Sequence, residues 1–144
     1  MKKLALLAVA TLMLSGCSST VNIDPAPDAN NPTCAEVTVR LPTDIEGMQK
    51  RVTGSQATGA WGEPAHVILR CGLPPVYASK LECVTASGVD WLVDDSKAPN
   101  YRFITFGRKP AAEVIVDSRV ASGASVLDAL APSVQYLPST RTCG

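Results

Sequence analysis

The sequence predicts an α+β fold, a two-layer sandwich in which two helices cover one face of a mostly antiparallel sheet. Short segments that alternate polar and apolar residues follow one another between residues 81 and 116, and consecutive strands favour antiparallel pairing. One helical pattern precedes this run and another follows it. Four cysteines beyond residue 17 predict two disulfides that staple the sandwich.

The predicted elements run in the order strand, helix, five strands, helix and edge strand. Residues 36–41 alternate as a half-buried strand does, and Thr43 and Glu46 have the spacing of a capping box. That box predicts a helix that ends at Gly54, followed by a loop over 54–60. Ser122 is predicted to cap a second helix that ends at Pro132. The remaining strands are predicted at 65–71, 81–85, 89–93, 101–106, 112–116 and 134–137, with 101–106 and 112–116 forming a hairpin.

The first 17 residues resemble a bacterial lipoprotein signal. Lys2 and Lys3 precede an apolar run of about a dozen residues, which is shorter than the ~20 residues that span a bilayer. The run ends in Leu14-Ser15-Gly16-Cys17, which resembles a lipobox, and an ordinary signal peptide that contains a cysteine is the alternative. The resemblance implies cleavage before Cys17 and acylation of its side chain. We therefore expect a signal peptide over 1–16 and a protein anchored to the extracytoplasmic face of the cell membrane through Cys17.

Two further regions follow the predicted anchor. Residues 17–33 are rich in Ser, Pro, Asp and Asn, which predicts a disordered tether with an r.m.s. span of roughly 20–25 Å. Residues 34–144 are predicted to form a single domain.

The chain has 13 Lys+Arg and 13 Asp+Glu, so removing Lys2 and Lys3 leaves 11 against 13, a charge of about −2. This balance argues against nucleic acid as a partner.

The four remaining cysteines are Cys34, Cys71, Cys83 and Cys143, an even number in a chain with an export signal. Three connectivities are open. We favour Cys34–Cys143, because domain termini often lie close together, and Cys71–Cys83, because it closes a short loop. A redox pair or metal site is the alternative, but one histidine and no close cysteine pair leave few ligands, so no metal and no cofactor are expected.

Four segments resemble a known family. They are AWGEP at 60–64, ILRCG at 68–72, GVDW at 88–91 and FITFGRKPA at 103–111. In this order and spacing they resemble the actinobacterial exported proteins grouped as domain of unknown function 3515. The resemblance covers nearly all of residues 34–143, and it implies an exported protein, lends some support to the cysteine pairing and implies no reaction.

The candidate ligand-binding residues are Trp61, Arg70, Asp90 and Arg108. If the three charged side chains converge, they form a polar pocket, with Trp61 as an aromatic platform for a sugar or peptide. The structural alternatives are core packing of Trp61 and an ion pair between Asp90 and one arginine. His66 is the only histidine, and no Gly-x-Ser-x-Gly elbow accompanies it, so no catalytic residue is assigned.

These observations favour a non-enzymatic module of the cell envelope that binds another exported protein or supports envelope assembly. The first alternative is a lipoprotein that binds a small ligand such as a cell-wall fragment, a lipid or an amino acid. The second is a hydrolase, which would need His66 as its catalytic base.

Overall fold

The computed structural model describes residues 18–144, so the predicted signal peptide 1–16 and the expected lipidation site Cys17 lie outside the described residues. The described part contains two helices and eight strands. In chain order these are α1 (Pro32–Thr38), β1 (Asp44–Ile45), β2 (Met48–Gln49), β3 (Thr58–Trp61), β4 (Val67–Leu73), β5 (Glu82–Ala86), β6 (Val89–Asp94), β7 (Asn100–Thr105), β8 (Ala111–Asp117) and α2 (Gly123–Val134).

One antiparallel sheet holds six of the strands in the order β3-β4-β8-β7-β6-β5, while β1 and β2 form a separate hairpin. Side chains alternate across the sheet, so Leu69 and Val114 point to one side and Arg70 and Glu113 to the other. Both helices pack on the Leu69–Val114 side, here called the core face; the opposite side is the outer face. This arrangement confirms the predicted α+β two-layer fold.

The strands predicted from residue 65 to 116 are confirmed, with ends that differ by a few residues. Val89 and Trp91 alternate with polar residues in the predicted strand 89–93, and both are fully buried in the core. Strands β7 and β8 pair antiparallel as the predicted hairpin. The Ser122 side chain caps α2 by accepting a hydrogen bond from the backbone N–H of Ser125 at 3.4 Å.

The strand predicted at 36–41 is wrong, because helix α1 occupies Pro32–Thr38. The Asn31 side chain caps it by accepting a hydrogen bond from the Thr33 N–H at 3.0 Å, and Pro32 suits the first helical turn. Cys34 and Val37 bury one face of the helix, whereas Val39, which the strand would have buried, is 76% exposed. Helical spacing therefore explains the burial where alternation does not.

The helix predicted from Thr43 to Gly54 is also wrong, because β1 and β2 form a hairpin there. Glu46 and Gly47 both have positive φ, as a two-residue hairpin turn requires. The Glu46 carboxylate does not close a capping box but accepts a hydrogen bond from the Ser122 N–H at 3.0 Å. The loop predicted at 54–60 instead contains most of β3.

The edge strand predicted at 134–137 is wrong as well. Helix α2 continues through Pro132 to Val134, and the Gln135 N–H then bonds to the Ala131 carbonyl at 2.9 Å. Leu137 turns back into the core and is 1% exposed. The segment 134–137 is therefore the end of α2 and a turn that buries Leu137, and it is not part of the sheet.

Residues 19–31 lie against the sheet and the β2–β3 connection, which differs from the expected disordered tether. The Val21 N–H bonds to the Val52 carbonyl, and the Asp28 N–H bonds to the Gly72 carbonyl, both at 2.9 Å. Gly72 has φ of 110°, and a Cβ at this position would lie 2.4 Å from the Asp28 carbonyl carbon. The contact is thus too close for any other residue at position 72. Among residues 18–144, no helix is both long enough and apolar enough to cross a membrane.

Residues 18–144 contain two disulfides, but the pairing favoured from the sequence is wrong: the bonds are Cys34–Cys71 and Cys83–Cys143. Cys71 on β4 and Cys83 on β5 are separated by three strands, roughly 19 Å at the usual spacing, and a disulfide needs Cα atoms within about 7 Å. Cys71 points to the core face, where α1 brings Cys34. Cys83 points to the outer face, where the C-terminal residues bring Cys143.

Candidate functional site

The four residues expected to line a pocket are dispersed in the structure. Trp61 is completely buried on the core face, and its indole N–H donates to the Pro42 carbonyl at 2.9 Å. Arg70 lies on β4 and Asp90 on β6, roughly 14 Å apart across three strand spacings. Trp61 is therefore a core residue, and the expected pocket with an aromatic platform does not form.

Arg108 stabilises the end of α2. Arg108 is 8% exposed, and its guanidinium donates to the carbonyls of Leu137 at 2.5 Å and Gln135 at 3.2 Å. A cation suits this position because the last carbonyls of a helix carry partial negative charge. Burial lowers the pKa of Arg108 from its ordinary value, and the negative charge of Asp90 acts in the opposite direction.

Asp90 ties the C-terminal residues to the sheet. One carboxylate oxygen accepts a hydrogen bond from the Thr85 hydroxyl at 2.6 Å, and the other accepts from the Cys143 N–H at 2.8 Å. The Cys83–Cys143 disulfide fixes the same segment a few residues away along β5. Asp90 therefore has a structural role beside this disulfide.

The outer face holds a charged cluster that the sequence interpretation missed. Glu113 on β8 is 2% exposed and lies between two arginines. One of its oxygens accepts from Arg70 Nε at 2.6 Å, and the other accepts from Arg102 Nε. Arg70 also reaches the Asp24 carbonyl at 3.2 Å. A charged residue inside the otherwise apolar run 111–116 was the available signal, because a buried carboxylate needs a cationic partner.

A depression with a volume of about 210 Å³ adjoins this cluster, where β6 ends and β7 begins. Arg102 belongs both to the cluster and to the wall of the depression. The lining residues are Asp94, Ser96, Lys97, Asn100, Arg102 and Ile115. Of the sequence candidates, only Arg70 is connected to it, through Glu113.

His66 lies near Asp117 at the same end of the sheet, with its Nδ1 3.5 Å from an Asp117 carboxylate oxygen. The other partner of Asp117 is Arg119, whose Nε and Nη2 donate to the two oxygens at 2.9 Å each. These hydrogen bonds are the main reason that the pKa of Asp117 is lowered to about 2.

Acid should destabilise the protein through Asp117. Because its pKa is lower in the folded chain than the ordinary value of 3.8, its contribution is complete above about pH 4 and is lost as the pH falls toward 2. We expect Asp117→Asn to have a lower melting temperature than wild type at pH 7, and the two melting temperatures to converge toward pH 2. A constant difference across this range would contradict the assignment.

The fold and these contacts define a disulfide-stapled α+β domain with one antiparallel sheet. A family model described as "Protein of unknown function (DUF3515)" matches residues 3–142, and the chain belongs to this family. The resemblance found in the sequence is thereby confirmed. No curated protein and no solved structure matches the chain.

Proposed function

We propose that the protein is a lipid-anchored module of the cell envelope that binds another exported protein through strand β5, without catalysing a reaction. The lipobox-like sequence ending in Cys17 supports the anchor. The two disulfides support an oxidising compartment, because such bonds are rare in the cytosol.

The contacts of the N-terminal segment bear on the distance between the domain and the membrane. The Ser19 carbonyl accepts a hydrogen bond from Arg51 at 2.7 Å, and Arg51 also bonds to the Gly62 carbonyl at the end of β3. Cys17 precedes Ser19 by two residues, which span at most ~7 Å. A lipid on Cys17 would therefore hold this end of the sheet close to the head groups, without the roughly 20–25 Å clearance expected of a flexible tether.

The two edges of the sheet differ in how they are protected. Residues beside β2 cover β3, since the Arg51 N–H bonds to the Ala60 carbonyl at 2.7 Å and the Gly62 N–H to the Gln49 carbonyl at 3.1 Å. At the other edge, within residues 18–144, no backbone hydrogen bond reaches the outward side of β5. An unprotected edge is a template for pairing with another chain.

The direction of the free groups on β5 follows from its neighbour. The Asp90 carbonyl accepts from the Phe106 N–H at 2.9 Å, so it faces β7. Thr85 is the cross-strand partner of Asp90, and in an antiparallel pair its N–H and carbonyl must then point away from β6. This outward pair of backbone groups is the observation that carries the proposal, because strand addition uses them for affinity.

The test is a pull-down after in-cell cross-linking, from detergent-solubilised membranes. Thr85→Pro removes the outward N–H and leaves the ladder to β6 intact, as an edge strand tolerates. Thr85→Ala is the matched control, because it loses the same hydroxyl bond to Asp90 and keeps the N–H. We expect a protein enriched with wild type and Thr85→Ala and depleted with Thr85→Pro.

The anchor is tested in the same experiment with Cys17→Ser. This variant should leave the membrane fraction, because two acyl chains supply the binding energy and each buried methylene contributes ~0.8 kcal/mol. Retention of Cys17→Ser on the membrane would contradict the anchor. Equal recovery with Thr85→Pro and wild type, or no partner with a membrane-bound bait, would contradict binding through β5.

A further inference from the structure

The depression beside Arg102 carries charges of both signs around an apolar floor. Arg102 and Lys97 provide two cations, Asp94 provides an anion, and Ile115 provides the apolar floor. Its volume of about 210 Å³ is below the ~300–1,000 Å³ of pockets for drug-sized ligands, so it suits a small molecule.

The opposite charges in this depression are neighbours without being paired. Asp94 and Arg102 are cross-strand partners on the outer face of β6 and β7. Within the part of the chain that the structure describes, however, no salt bridge joins Asp94 to Arg102 or to Lys97. Hydrogen bonds from Ser96 hold the pKa of Asp94 below its ordinary value, with smaller effects of the same sign from Arg102 and Lys97. Asp94 is therefore ionised at neutral pH and is free to accept a bond from a ligand.

Arg102 is held in position by groups outside the depression. Its Nε donates to Glu113, whose other oxygen is held by Arg70. In residues 18–144, the two terminal nitrogens of Arg102 have no hydrogen-bond partner, and 39% of its side chain is exposed. Fixing a guanidinium through Nε leaves its terminal nitrogens for a ligand carboxylate, and such preorganisation lowers the entropic cost of binding.

We propose that this depression binds a small zwitterion that carries a carboxylate and an ammonium group, of the class of the free α-amino acids. The carboxylate binds Arg102 and Lys97, the ammonium group binds Asp94, and the aliphatic part contacts Ile115. Glu113 and Arg70 act as positioning residues. None of the residues that line the depression lies on β5, so its test is independent of partner binding.

The carboxylate has two sources, a free amino acid or the C-terminus of a peptide. L-leucine represents the first, and N-acetyl-L-leucine, which lacks the ammonium group, represents the second. L-leucinamide, which lacks the carboxylate, completes the series. Isothermal titration calorimetry on the purified full chain in detergent should show saturable binding of L-leucine. The two derivatives should bind with an affinity that is lower by roughly tenfold or more, because each loses a charge-assisted hydrogen bond.

Two variants and a control locate the binding. Arg102→Gln should weaken L-leucine binding roughly tenfold or more, and Asp94→Asn should weaken L-leucine but leave N-acetyl-L-leucine unchanged. Lys80→Gln changes an exposed lysine outside the depression and should bind like wild type. Circular dichroism and a melting curve check that each variant is folded. If Arg102→Gln unfolds, Asp94→Asn alone tests whether the depression is the binding site.

Three results would overturn the proposal. The first is the absence of saturable binding of L-leucine, L-alanine and L-lysine to the folded wild-type protein. The second is equal affinity of the folded variants and wild type. The third is equal binding of L-leucine and N-acetyl-L-leucine, which would replace the zwitterion by a carboxylate-terminated peptide.

Discussion

Replacing both Cys34 and Cys71 by alanine is expected to lower the free energy of unfolding by roughly 4 kcal/mol. The bond joins residues 37 apart in sequence, and the loop-closure model gives about this value for a loop of that length. Both cysteines are fully buried and connect α1 to the sheet, so the native structure gains no freedom that offsets the loss. Alanine is used rather than serine, because serine would place a hydroxyl in the core at both buried positions. Urea unfolding of wild type and variant, with equal slopes, measures the difference.

The second disulfide supplies the control. Cys83 and Cys143 are 60 residues apart, so loop length alone predicts a slightly larger loss for this bond. Both of these cysteines, however, are only partly buried, whereas Cys34 and Cys71 are completely buried. Without the bond the exposed segment around Cys143 can detach while the sheet persists, so we expect the smaller loss for Cys83→Ala with Cys143→Ala. The reverse order would show that loop length outweighs burial in the core.

The strands that the sequence predicts well are those whose burial is set by the sheet itself. Val89 and Trp91 alternate with polar residues, and the alternation is real because one face of β6 packs on the helices. The alternation of Val37 and Val39 has the same appearance in sequence but a different cause, since α1 buries Val37 and exposes Val39. Period-2 alternation in a segment of six residues does not exclude a helix when a cap such as Asn31 precedes it.

The remaining errors concern contacts between distant residues. Glu46 has the spacing of a capping box but lies in a hairpin turn, and its carboxylate bonds to the Ser122 N–H, 76 residues away. The cysteine pairing likewise depends on strand order, which places β5 at the edge and β4 near the opposite edge. Neither the contact between Glu46 and Ser122 nor the order of the strands can be inferred from the local sequence.

The candidate site was missed for a related reason. The sequence interpretation selected Arg70 but grouped it with Asp90 and Arg108. Its actual partner, Glu113, is 43 residues away on the neighbouring strand β8. Alternation assigns a residue to a face, and only the strand order decides which residues on that face are neighbours.

Replacing Glu113 by alanine is expected to lower the free energy of unfolding by about 3 kcal/mol, the lower end of the range for breaking a buried ion pair. The loss arises because Arg70 and Arg102 would face each other without the carboxylate between them. Their side chains are 28% and 39% exposed, so both can turn partly toward water, which limits the loss. A loss below about 1 kcal/mol, the scale of a surface ion pair, would contradict this expectation.

A triple variant separates stability from positioning. Arg70→Met, Glu113→Leu and Arg102→Met together replace the cluster by apolar side chains, and such replacements of buried ion pairs are often neutral or stabilising. If this variant unfolds at the same urea concentration as wild type while Glu113→Ala is destabilised, the charges are not needed for the fold. That result is the one expected if Glu113 and Arg70 serve to position Arg102 at the depression. If the triple variant is as unstable as Glu113→Ala, the cluster is required for the fold itself.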